Sequence, residues 1–85
     1  MQGKRVADGE WPEHPGEYSK HKTDRGIVWF AVCPLPFIGG PGSLANHNVI
    51  EHEDGTITVS PSILIEGHRG DRWHGYLTRG IWQEC

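Results

Sequence analysis

The sequence predicts a mainly β protein: a small antiparallel sheet built from two hairpins plus an N-terminal strand, with an extended polar N-terminal arm. Three observations carry this expectation. Asp54-Gly55 separates two strand-like runs, Arg79-Gly80 separates two more, and none of the 85 residues falls in a stretch with helical apolar periodicity.

Residues 1–26 hold a single Leu, Ile, Val or Phe (Val6), whereas residues 27–85 hold the other 17. That asymmetry predicts an extended or flexible arm over 1–26 and a small antiparallel β domain over 27–85. Pro12, Pro15, Gly3, Gly9 and Gly16 break any helical period in the arm. Trp11 and Tyr18 are out of place in a solvated tail. They allow a second reading, in which the arm lies over the domain and Trp11 enters a surface groove.

Residues 27–33, Ile-Val-Trp-Phe-Ala-Val-Cys, are β-branched and aromatic and too short for a typical helix, so they read as a buried strand. Residues 34–43 hold three prolines and three glycines and read as a loop, with Phe37 and Ile38 plugging the core from above. A two-residue turn at Asp54-Gly55 pairs His52 with Ile57 and Ile50 with Val59. Ser60-Pro61-Ser62 reads as a turn before a short apolar strand, and residues 66–72 as a polar loop. A turn at Arg79-Gly80 sets Thr78 opposite Ile81, Leu77 opposite Trp82, Tyr76 opposite Gln83 and His74 opposite Cys85. The expected core draws Val28, Phe30 and Val32 from the first strand, then Ile50, Ile57, Val59 and Leu64, then Leu77 and Trp82.

Composition excludes several functional classes. No run approaches the ~18 apolar residues of a membrane span. A net charge of −3 argues against nucleic acid as the main ligand. The N-terminal residues lack the apolar stretch of a signal peptide, so the expected location is the cytoplasm, with Cys33 and Cys85 reduced. The chain is also too short for a large enzyme with a deep cleft. Exposed strand edges in so small a domain bring a homodimer into view.

The segment Ser60-Pro61-Ser62-Ile63, followed by Trp73-His74-Gly75-Tyr76-Leu77-Thr78-Arg79-Gly80-Ile81-Trp82, resembles a family of small phage and prophage proteins, especially those of actinobacteriophages. The resemblance covers roughly residues 29–85 and carries no activity with it. Members often have a Cys-Pro zinc-knuckle-like motif upstream, which here corresponds to Cys33-Pro34 and the following Gly39-Gly40. Where relatives read Cys-Pro-x-Cys, this chain has Cys33-Pro34-Leu35-Pro36, so a knuckle clamp would be half present. The setting implies an accessory protein in the host cytoplasm that works by binding a host protein or protein complex. Inhibition of a host defence factor is one such role.

Three constellations could carry chemistry. Six histidines raise a metal site, and Cys33, His68, His74 and Cys85 form the most coherent set for a structural zinc ion. Ser60 or Ser62 with His52 or His74 and Asp71 could be drawn as a hydrolytic triad, but nothing places a serine on a strained elbow beside an oxyanion hole. Cys33 as nucleophile lacks a predicted basic partner. No catalytic residue is therefore assigned. The third constellation, Arg69, Arg72, Trp73, His74, Tyr76 and Arg79, gathers guanidinium and aromatic groups of the kind enriched at contact surfaces. It suits an acidic protein surface. A phosphorylated signalling nucleotide, held by the arginines and stacked on a ring, is the alternative.

Overall fold

The computed structural model describes residues 1–85 as eight strands without a helix. Four of them, β1 (Lys4–Arg5), β2 (Glu17–Thr23), β3 (Gly26–Val32) and β4 (Pro41–Ser43), form one sheet in that order. The others, β5 (Asn48–Glu51), β6 (Ile57–Glu66), β7 (Arg72–Thr78) and β8 (Ile81–Glu84), form the second. Every pairing is antiparallel except the short β1–β2 pair. The mainly β class is as expected, but the chain makes two sheets where the sequence suggested one.

The last hairpin has the predicted register, with Thr78 opposite Ile81, Leu77 opposite Trp82 and Tyr76 opposite Gln83. Arg79 (φ 46°) and Gly80 (φ 77°) both occupy the left-handed region that a two-residue turn of this hand requires. The Asp54-Gly55 hairpin differs by one residue. Val49 pairs with Val59 and Glu51 with Ile57. Gly55 N–H donates to the His52 carbonyl at 3.0 Å and Gly55 itself carries φ 88°. The glycine therefore ends a three-residue loop as a left-handed bulge and is not the second residue of a two-residue turn. A one-residue slip exchanges the two faces of a strand. Val49 accordingly packs on the core, and Ile50, expected inside, is exposed.

The core draws Tyr18, Trp29 and Ala31 from the first sheet and Ile57, Val59, Ile63, Trp73, Leu77 and Trp82 from the second, with Cys33, Phe37 and Leu44 closing it. On β3 the inward side chains are Trp29 and Ala31, not Val28 and Phe30, which are only half-buried. The continuous apolar run hides the phase because both faces of β3 are covered. Trp11 packs edge-on to Phe30 from the outer side, at 4.8 Å between ring centroids. Phe37 is buried as expected, while Ile38 is exposed.

Residues 1–26 are not a separate arm. β2 pairs with β3 from Tyr18 to Thr23, and Tyr18 and Ser19 are buried. Residues ahead of β1 bridge to the second sheet: Gly3 N–H donates to the Gly80 carbonyl at 2.7 Å and Trp82 N–H to the Met1 carbonyl at 2.8 Å. Trp82 Nε1–H donates to the buried Gly16 carbonyl at 3.0 Å. The polar N-terminal segment thus supplies backbone ladder bonds, which do not show as hydrophobic patterning. Residues 60–62, expected as a turn, lie within the continuous strand β6, whose register shifts between Val59 and Ile63. Pro61 sits in that irregular stretch, where its missing N–H removes no regular ladder bond.

Candidate functional site

Alternation along β7 sets the candidate surface. Trp73, Gly75 and Leu77 point inward and are buried, while Arg72, His74, Tyr76 and Thr78 point outward and are exposed. Residues directly opposite one another share a face. The outward set therefore includes Glu66 and Leu64 on β6, opposite Arg72 and His74, and Gln83 and Ile81 on β8, opposite Tyr76 and Thr78. Leu64, Tyr76 and Ile81 are 52%, 49% and 47% exposed. The result is a sheet face on which apolar groups alternate with the Arg72 guanidinium, the Glu66 carboxylate opposite it, an imidazole and neutral polar groups.

Of the six residues expected at the contact, five are exposed and one is not. Trp73 is 2% exposed and meets Trp82 edge-on at 5.3 Å and 87°. Its indole belongs to the core, where such a pair adds ~0.5–1.5 kcal/mol beyond the burial of area. The arginines do not form one cluster. Arg72 and Arg79 lie at opposite ends of β7, roughly 20 Å apart at the usual rise of a strand. Arg79 lines a shallow hollow with Glu51, His52, Glu53 and Asp54, in acidic surroundings. Arg69 sits at the other end, beside His68, Asp71, Ile38 and Gly39. A single phosphate could not be gripped by Arg79 together with Arg69 or Arg72.

Arg69 and Arg72 take no part in the ion pairs within the chain, which join Arg5 to Asp8 and Glu51, Lys20 to Glu51, and His14 to Glu17. Asp71, close to Arg69, turns one carboxylate oxygen to accept the Ile38 N–H at 3.0 Å. The two guanidinium groups at this end are thus available to an outside partner.

The proposed zinc ligands do not converge. Cys33 is fully buried in the core, and burial pushes its thiol up to about 12. His68 is exposed on the loop between β6 and β7. Only His74 and Cys85 meet, with Nε2 and Sγ 4.0 Å apart. No group of three or more His, Cys, Asp or Glu side chains gathers anywhere as a metal site. The sequence reading fails here because β3 carries Cys33 to the inner face, while the β7–β8 register carries the other pair outward.

The hydrolytic triad is also incomplete. Ser62 Oγ lies 3.1 Å from His74 Nε2, but Asp71 is engaged with Ile38, and no carboxylate bonds the other ring nitrogen of His74. His52 instead bonds Thr58 Oγ1 at 2.7 Å. Ser19, a second serine beside a histidine, bonds the Glu10 carbonyl at 2.6 Å and His21 Nε2 at 2.9 Å, but it is completely buried.

Away from this face, Glu51 holds Arg5 at 2.7 Å and Lys20 at 3.0 Å, both cations lying within 6 Å of the Trp29 ring centroid, at 5.0 and 5.7 Å. The hydrogen bond from Arg5, then that from Lys20, holds the Glu51 carboxyl below the usual range. This network ties the first sheet to β5. It is satisfied internally and offers no free charge.

Leu64 and Ile81 are the apolar members of the face that sequence reasoning missed; Leu64, expected in the core, is exposed instead. Ile81 was within reach, because the predicted register of the last hairpin already put it opposite Thr78 on the outer side. Leu64 was hidden by the irregular pairing after Val59. Comparisons with protein-family models, with curated proteins and with solved structures find no match to this chain.

Proposed function

We propose that the protein is a non-enzymatic accessory protein of the phage type, which works by binding a host protein through the outer face of β6, β7 and β8. The observation that carries this reading is the exposure of Leu64, Tyr76 and Ile81 in a diagonal along one sheet face, with Arg72 at the Leu64 end making no ion pair within the chain although Glu66 stands opposite it. Tyr and Arg are the residue types that dominate contact energies, and apolar groups between them gain by being covered. The partner's matching surface is apolar with carboxylates placed for Arg72 and Arg69. Antagonism of a host defence factor fits the family resemblance, and the host cytoplasm is where such a partner would be met.

Pull-down from host lysate tests the assignment. Wild type and a Lys22→Ala control, altered on the other sheet, should recover the same acidic partner. A Leu64→Ser/Arg72→Ala/Tyr76→Ala variant should lose it. Equal recovery by all three proteins would remove this face from the account.

A further inference from the structure

We propose that the outer side of the first sheet carries a second binding site, at which the Trp11 ring and the carboxylates of Glu10 and Glu13 hold an arginine side chain of a basic peptide. Trp11 is 58% exposed, whereas the other three indoles are buried. Its ring centroid lies 4.8 Å from those of His21 and Phe30, which are 5.1 Å from each other. Three nearly equal distances make a triangle, so both neighbours stand on one side of Trp11 and its other side is open.

This indole is held in place. Pro12 beside it is fully buried, and the Glu10 carbonyl accepts the Ser19 hydroxyl at 2.6 Å. The Glu17 carboxylate accepts the N–H groups of Glu13 at 2.9 Å and His14 at 3.0 Å. The segment is therefore ordered before a partner arrives, and binding there loses little conformational freedom. A large apolar ring fixed in water gains by being covered.

Charge selects the occupant. Trp11 lines a hollow of about 410 Å³ together with Lys4, Glu10, Glu13, His14 and Glu17. Glu10 and Glu13 are exposed and join no ion pair within the chain. Lys4 is the only lysine or arginine on the rim, so three carboxylates face one fixed cation. A guanidinium suits this setting best, because its plane stacks on an indole while its N–H edge forks to a carboxylate. A lysine ammonium is compact and strongly hydrated, and a neutral stacking ligand leaves both free carboxylates without a counter-charge. Arg69 and Arg72 on the far sheet favour the opposite sign of partner, so the two surfaces stand independently.

The full chain is titrated at low ionic strength with acetyl-Gly-Arg-Gly-Arg-Gly-amide and with the same peptide carrying citrulline, the neutral isostere, at both arginines. Trp11 is the one exposed indole, so its emission reports binding, and calorimetry gives Kd for the variants. The arginine peptide should shift the emission and saturate, with the citrulline peptide at least tenfold weaker. Trp11→Ala should raise Kd about fivefold or more. Glu10→Gln/Glu13→Gln, which breaks no side-chain bond within the fold, should do the same, and added salt should weaken wild type. Arg72→Ala should bind the peptide as wild type does, which keeps this test separate from that of the β6–β8 face. An arginine peptide that does not bind, equal binding of the citrulline peptide, or unchanged affinity in Trp11→Ala and in Glu10→Gln/Glu13→Gln would each overturn the proposal. So would self-association abolished by Trp11→Ala, which would give the indole to a second copy of the chain, or loss of the peptide in Arg72→Ala.

Discussion

The Trp73 indole lies over Gly75: a Cβ at Gly75 would fall 2.5 Å from Trp73 Cη2 and against the Gln83 carbonyl oxygen of β8. The next inward position along β7 is therefore empty of side chain so that a large ring can fill it. This arrangement fixes which face of β7 is core. With Trp73 and Leu77 locked inward, Arg72, His74 and Tyr76 have only the outer face to occupy.

Gly75→Ala should accordingly destabilise the fold by about 1–3 kcal/mol, the usual cost of forcing an extra carbon into a packed interior. Chemical unfolding would show a lower midpoint with an unchanged slope. An unaltered midpoint would mean that the ring can move aside, and that this contact does not set the facing of β7.

Glu17 gives the fold an acid-sensitive point. Its carboxylate accepts the backbone N–H groups of Glu13 at 2.9 Å and His14 at 3.0 Å. The bond from His14, then that from Glu13, holds its carboxyl below the ordinary value of 4.5. A carboxyl lowered in the folded state contributes stability that is present above its unfolded value and lost as pH falls through its folded value. Glu17→Ala should cost about 2 kcal/mol at neutral pH, because two N–H groups lose a charged acceptor. Urea unfolding at pH ~7 and again at pH ~3 should show the gap from wild type narrowing in acid. A gap of equal size at both would contradict this role.

Arg79 occupies the left-handed region at φ 46° without being glycine. Asparagine adopts that conformation more readily and is favoured in such turns. Arg79→Asn should therefore raise stability, by about 1 kcal/mol at most, seen as an increase in Tm. The substitution should leave partner binding unchanged, because Arg79 lies at the acidic end of the strand, away from Arg72. A loss of binding in this variant would return Arg79 to the contact.

Legibility from sequence followed the strength of local signals. Arg79-Gly80 fixed its hairpin completely, since a two-residue turn leaves one register and places Leu77 against Trp82. Asp54-Gly55 marked a turn but not its length, and the difference of one residue exchanged Ile50 for Val49 in the core. Trp29 and Cys33 could not be placed because a strand covered on both faces shows no alternation. The role of residues 1–26 shows in the sequence only through Trp11 and Tyr18, because Gly3, Met1 and Gly16 act through backbone groups. For the site, the outward run of Arg72, His74 and Tyr76 followed once Leu77 was known to face inward. Trp73 was misread for the opposite reason: composition ranked it as a contact residue, whereas strand parity, taken from Leu77, puts it inside.

The measurement that bears most directly on the proposed binding face is titration calorimetry of the recovered host partner against wild type, Tyr76→Ala, Arg72→Ala and the Lys22→Ala control. Tyr76→Ala and Arg72→Ala should each raise Kd at least tenfold, equivalent to about 1.4 kcal/mol or more, while Lys22→Ala matches wild type. Four equal dissociation constants, with all four proteins folded, would show that the partner docks elsewhere.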